Sequence, residues 1–169
     1  MTARLSTAIR IGDAAAAILH TARKLDEGGI LEEKDWDEHI GVKPILLALS
    51  MELALKAWYA FDFDTPDVMK SHDLSKLFSD LSADSQEKLD KAFAAKVAPD
   101  HPSFQPTNLG IEDDLRSHAN AFVEWRYLHE LKGIMSFDES LFVATLELVI
   151  GEFRKRYRVE KASPPLRPF

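Results

Sequence analysis

The sequence predicts an all-α protein, an up-and-down bundle of four longer helices with one or two short ones. Two observations lead there. Apolar residues recur at three- and four-residue intervals along most of the chain, the spacing that puts them on one side of a helix. No segment alternates apolar and polar residues strictly over four to eight positions, as a half-buried strand does.

Taken in order, a first helix is expected from about Leu5 to Leu25, with Ile9, Ala16 and Leu19 on its apolar side and Gly28-Gly29 as its stop. The acidic stretch Glu32 to Glu38, interrupted by Lys34 and Trp36, reads as a loop or a short solvated turn. The second helix, about Pro44 to Phe61, is the most apolar, because Ile45, Leu46, Leu49, Leu53 and Ala57 repeat at helical intervals. It is expected at the centre. Pro44 suits the first turn, where its missing N–H is not needed.

Thr65-Pro66-Asp67 predicts a turn, and Ser71-His72-Asp73 leads into a short helix over Leu74 to Phe78, with Ser71 or Asp73 free to cap it. A fourth helix starts near Ser82 and runs to about Val97, its first turn made acidic by Asp84 and Glu87. Pro99, Pro102 and Pro106 predict an irregular loop over 98–110. A fifth helix follows from about Ile111 to Leu131 and a sixth from about Asp138 to Tyr157. The reading is one domain over 1–160 and an extended tail over 161–169, the latter from Ser163-Pro164-Pro165 and Pro168.

Composition narrows the function classes. With 46% hydrophobic and 29% charged residues the chain has the make-up of an ordinary globular protein, and no uninterrupted apolar run nears the roughly 18 residues of a membrane span. The N-terminal residues show no secretory signal, so the expectation is a cytoplasmic protein away from membranes. The absence of cysteine excludes disulfides, thiolate metal sites and cysteine nucleophiles. A net charge of -7 disfavours DNA and broad nucleic-acid binding, although a local arginine-lined groove can still take a nucleotide or an RNA end. Glycine-rich phosphate loops, nucleophile elbows and histidine pairs at zinc spacing are all missing, so no cofactor and no metal are expected.

The residues that could carry chemistry fall into three segments. Ala121 to Glu130 contains Arg126, which on a continuous helix shares a face with Val123, Tyr127 and Glu130 and sits near His129. An arginine there is expected to pair with a carboxylate, first Glu52 and second Glu130, its planar fork fixing two helices together; the alternative is contact with a phosphate. Glu52 and Lys56 have the spacing of a helix-stabilising pair. His72 and Asp73 could form an acid–base couple, but adjacent residues at a helix start seldom face one another, and capping and packing are the expected roles. His118, Phe122, Trp125 and His129 form one stripe on a continuous helix, expected in a core or interface. Arg116 and His118 point apart.

Three of these passages, Met51-Glu52-Leu53-Ala54-Leu55-Lys56-Ala57, Ser71-His72-Asp73-Leu74 and Trp125-Arg126-Tyr127, occur in an order and spacing that resembles the HEPN family of helical domains. The resemblance covers roughly residues 44–150. It implies a homodimer paired through long helices, and a role in a prokaryotic toxin–antitoxin or defence system, with RNA, an antitoxin or a nucleotidyltransferase-like protein as partner. Catalytic members of the family place a histidine four to six residues beyond the arginine. Here Leu131, Lys132 and Gly133 stand at those positions, and His129 comes too early. The expectation is therefore a non-catalytic module with Glu52, Lys56, His72, Asp73, Arg126 and Glu130 as its polar cluster. The alternative is a divergent, metal-independent endoribonuclease using Arg126 with His129 or His72 as catalytic residues.

Overall fold

The structure, a computed structural model, describes residues 3–27, 41–101, 110–127 and 137–162. Its α-helices are α1 (Ala3–Glu27), α2 (Val42–Asp62), α3 (Leu74–Ser79), α4 (Ala83–Lys96), α5 (Ile111–Ser117), α6 (Ala121–Arg126) and α7 (Glu139–Ala162), with a one-turn 3-10 helix over Ala98–Asp100. No strand occurs among the described residues. The fold is all-α, as the periodicity predicts.

Helix α2 is the hub, touched by α1, α3, α6 and α7. Leu47, Ala48, Met51, Leu55, Ala57, Trp58, Ala60 and Phe61 are fully enclosed, so this helix is apolar on nearly every side because it has neighbours on nearly every side. By length and a mean hydropathy of 1.3 it does meet the composition of a membrane span, although Glu52 and Lys56 interrupt its apolar run. However, 72% of that window is buried inside the protein, the role of a central core helix. Four residues buried at three- and four-residue steps, Ala8, Ala15, Leu19 and Ala22, with Gly12 completing the seam, set α1 against its neighbours. Small side chains there allow the backbones to approach, and Ser50 donates to the Ala15 carbonyl at 2.7 Å. Gly12 is required by contact: a Cβ there would lie 2.8 Å from the Phe153 ring of α7.

One polar knot ties three helix ends around this core. The fully buried carboxylate of Asp62, at the end of α2, accepts from the Ser82 backbone N–H at 3.0 Å, from Ser85 Oγ at 2.8 Å and from Arg156 at 2.6 Å. The Arg156 guanidinium meanwhile lies over Trp58 and Phe61, 5.1 and 4.7 Å from their ring centres. A charged, bidentate-capable group thus joins α2, α4 and α7 with its partners satisfied.

Two expectations are corrected. The fifth helix is not continuous: it is α5 and α6 with a break at His118–Asn120. Backbone groups are diverted at that point. His118 turns its ring back to the Asp114 carbonyl at 3.0 Å, Ser117 Oγ donates to Asp113 O at 2.9 Å, and the Ala119 carbonyl accepts from Leu74 N at 2.9 Å. Local side-chain bonds and a tertiary bond replace the helical ladder, a competition that apolar periodicity does not register. The last helix also reaches Ala162, so Lys161 and Ala162 are helical and not part of the expected extended tail over 161–169. Its remaining residues, 163–169, lie outside the described residues, as do Gly28-Gly29, the acidic stretch and Gly133.

Candidate functional site

Glu52 and Lys56 sit one turn apart in the middle of α2, almost wholly enclosed, with side chains only 5% and 10% exposed. Charges at such depth must be compensated. Lys56 Nζ donates to Glu52 Oε1 at 2.6 Å, and His72 Nδ1 donates to Glu52 Oε2 at 2.8 Å, so both carboxylate oxygens are engaged. The His72 side chain is 55% exposed and lies stacked against Phe122, ring centres 5.2 Å apart. A buried lysine and glutamate therefore hold, by one nitrogen, a histidine whose ring opens to solvent.

The chain delivers His72 to that place through a well-capped helix start. Asp73 adopts an extended backbone and its Oδ1 accepts from Lys76 N at 2.9 Å, opening α3. Ser71 Oγ accepts from Asp73 N at 3.2 Å. Leu74 N, bonded to Ala119 O, fastens the start of α3 to the break between α5 and α6. His72 and Asp73 do diverge as their adjacency predicts: one caps, the other reaches α2.

Arg126 is exposed on the last turn of α6 and has no carboxylate partner among the described residues, against the first expectation, Glu52; Glu130, the second, lies outside them. Its guanidinium donates to the Tyr127 hydroxyl at 2.8 Å and lies 4.9 Å from the centre of the same ring. Glu52 is occupied by Lys56 and His72 and does not serve it. The break at His118–Asn120 explains the difference, because α6 no longer inherits the helical phase of α5. Phe122 and Arg126 are one turn apart on α6, which places the arginine next along the helix from the ring that stacks on His72. His129 and Glu130, the other proposed members, lie outside the described residues.

The break also scatters the expected aromatic stripe. Phe122 goes to His72, Trp125 packs edge-on to Phe137, and His118 enters the core between Phe137 and Phe142. There His118 forms a second polar cluster that sequence reasoning missed. Asp114 is fully buried; its Oδ2 accepts from Thr145 Oγ1 at 2.7 Å, while Oδ1 has no hydrogen bond and lies 3.3 Å from His118 Nδ1. Burial works to keep His118 neutral, but the nearby Asp114 carboxylate and the bond to the Asp114 carbonyl, with the charge of Asp138, outweigh it and raise its pKa above the ordinary 6.5. The spacing of Asp114 and His118 on α5 was the available signal. Arg116, by contrast, bonds to Glu112 and Asp113 at the surface.

Among the described residues no three histidine or carboxylate side chains converge as metal ligands would. The arrangement around His72 instead suits contact with an anion or an acid–base role: an oriented imidazole, a flat aromatic face and a guanidinium along one side of the bundle. No model of a known protein family, no curated protein and no solved structure matches the chain.

Proposed function

We propose that the chain is a HEPN-like helical module that acts as a homodimer and binds RNA through α6 and the segment leading into α3, as part of a prokaryotic toxin–antitoxin or defence system. The observation that carries this reading is Arg126, exposed and with no carboxylate partner among the described residues, one turn from the Phe122–His72 stack. A guanidinium fork matches phosphate oxygens, and aromatic or imidazole rings offer stacking faces to unpaired bases. Lys70, two residues before His72, is also exposed and adds positive charge to the same segment. Val123 and Tyr127, each 38% exposed, give α6 apolar surface for a second copy or a partner protein.

The test is anisotropy of a labelled single-stranded RNA at several salt concentrations. The reading expects binding that weakens with salt, and for Arg126→Ala a loss of affinity with a salt slope smaller by about 0.7. RNA binding that ignores the substitution, or no binding while an antitoxin-like protein is retained, refutes the RNA reading.

A second reading, a divergent metal-independent endoribonuclease using Arg126 with His72, is favoured by one observation. Glu52 fixes one nitrogen of His72 and leaves the other to work as a general base or acid on an exposed ring. Cleavage of total RNA in the presence of a chelator, abolished by His72→Ala, would establish it.

A further inference from the structure

A groove along the contact of α1 with α7 fits no part of the RNA reading. Ala16, Leu19, His20 and Arg23 of α1 face Glu147, Ile150, Gly151 and Arg154 of α7 across a cavity of about 290 Å³. Each set has steps of three, one and three residues, so one stripe from each helix forms a wall. Leu19 and Ile150 are buried and make an apolar floor. The space exists because Ala16 and Gly151 are small where two helices would otherwise interdigitate; a Cβ added at Gly151 meets nothing within 4 Å.

The rim is cationic in an acidic protein of net charge -7. Arg23 pairs with Glu147, which leaves Arg154 and His20 with no hydrogen-bond or ion-pair partner among the described residues. An uncompensated guanidinium beside an apolar floor is the complement of an anionic head on an apolar body. We infer that this groove binds a small ligand with an apolar or aromatic body and one oxygen-rich anionic head, a carboxylate or a phosphate ester, held by Arg154 with His20 beside it. The size lies at the lower end of small-molecule sites, which suits a compact ligand of one ring. Carboxylate and phosphate both match the guanidinium fork, and the probes separate them.

Benzoate, phenyl phosphate and uncharged benzyl alcohol are titrated separately into the full-length, isotope-labelled protein while its amide resonances are followed by NMR. Saturable shifts at Gly151, His20 and Arg154 with one or both anions, and none with the alcohol, are expected. Arg154→Gln should weaken that binding roughly ten- to a hundredfold, the loss of one charge-assisted hydrogen bond or two. Gly151→Leu should block it by filling the groove, and dispersed amide spectra with melting temperatures near that of the unmodified protein show that Arg154→Gln and Gly151→Leu are folded. Absence of saturable shifts with either anion, equal response to the alcohol, or anion binding unchanged in Arg154→Gln and Gly151→Leu overturns the inference.

Discussion

The Asp114–His118 pair makes the sharpest energetic prediction. Asp114 is wholly enclosed, with Thr145 on one oxygen and only His118 near the other. Removing one member of such a buried pair typically costs about 3–5 kcal/mol, because the remaining charge has no partner. For a domain of this size that corresponds to a fall in Tm of roughly 6–20 °C. His118→Gln is expected within that range, and Asp114→Asn, which keeps a bond to Thr145, below it. The pH dependence separates the ionic part from packing against Phe137 and Phe142. The pKa of His118 is raised on folding, so its charged contribution is complete below about 6.5 and disappears as pH climbs through the folded-state value. The facing charges are Asp114 and, at the start of α7, Asp138. A double-mutant cycle on these two substitutions, by urea unfolding at about pH 5.5 and about pH 8.5, should give a coupling energy that shrinks at the higher pH. NMR titration of His118 below 6.5, or a coupling energy unchanged between the two conditions, refutes the reasoning: burial would then have outweighed the carboxylate.

Other consequences follow from the same geometry. Arg126→Ala should melt within about 2 °C of the unmodified protein, since exposed substitutions rarely exceed about 0.5 kcal/mol, while RNA anisotropy falls. Glu52→Gln leaves Lys56 enclosed without its counter-ion and should cost about 3–5 kcal/mol in denaturant melts; it should also free the His72 ring, seen as altered His72 resonances. Arg156→Lys should restore only part of the stability lost in Arg156→Ala, because an ammonium cannot span Asp62, Ser85 and the two aromatic faces as a planar guanidinium does. Light scattering at micromolar concentration should report a dimer; a strict monomer counts against the shared RNA surface.

Helices α1, α2, α4 and α7 were legible in the sequence because long amphipathic or apolar periodicity reports a tertiary environment directly: α2 is apolar all round and is enclosed all round. Asp73 was legible as a cap because capping is local chemistry, and its side chain does accept from the Lys76 backbone N–H; Ser82, read only as the start of a helix, accepts from Ser85 N–H in the same way. The break at His118–Asn120 was not. Its causes are the Ala119–Leu74 bond, with a partner 45 positions away in the sequence, and a histidine turned back on the carbonyl four residues before it. A window of apolar spacing contains neither.

That one break reorganised the candidate site. Glu52, Lys56 and His72 meet: the resemblance had grouped them, but from the residues alone only the spacing of Glu52 and Lys56 was visible, because the convergence rests on packing between α2 and the start of α3. The desolvation argument for Arg126 was sound in form but rested on a continuous helix carrying it to the core. With α5 ended at Ser117, it is His118 that enters the core and needs the carboxylate, and Asp114 supplies it; Arg126 remains in water on α6. The same physical demand, a buried basic group matched by a buried acid, is met eight residues earlier in the chain than the sequence suggested. The exposed arginine is left available for a ligand, which is why measuring the melting temperature and RNA affinity of Arg126→Ala together is decisive: stability lost with affinity returns the arginine to structure, and affinity lost alone assigns it to binding.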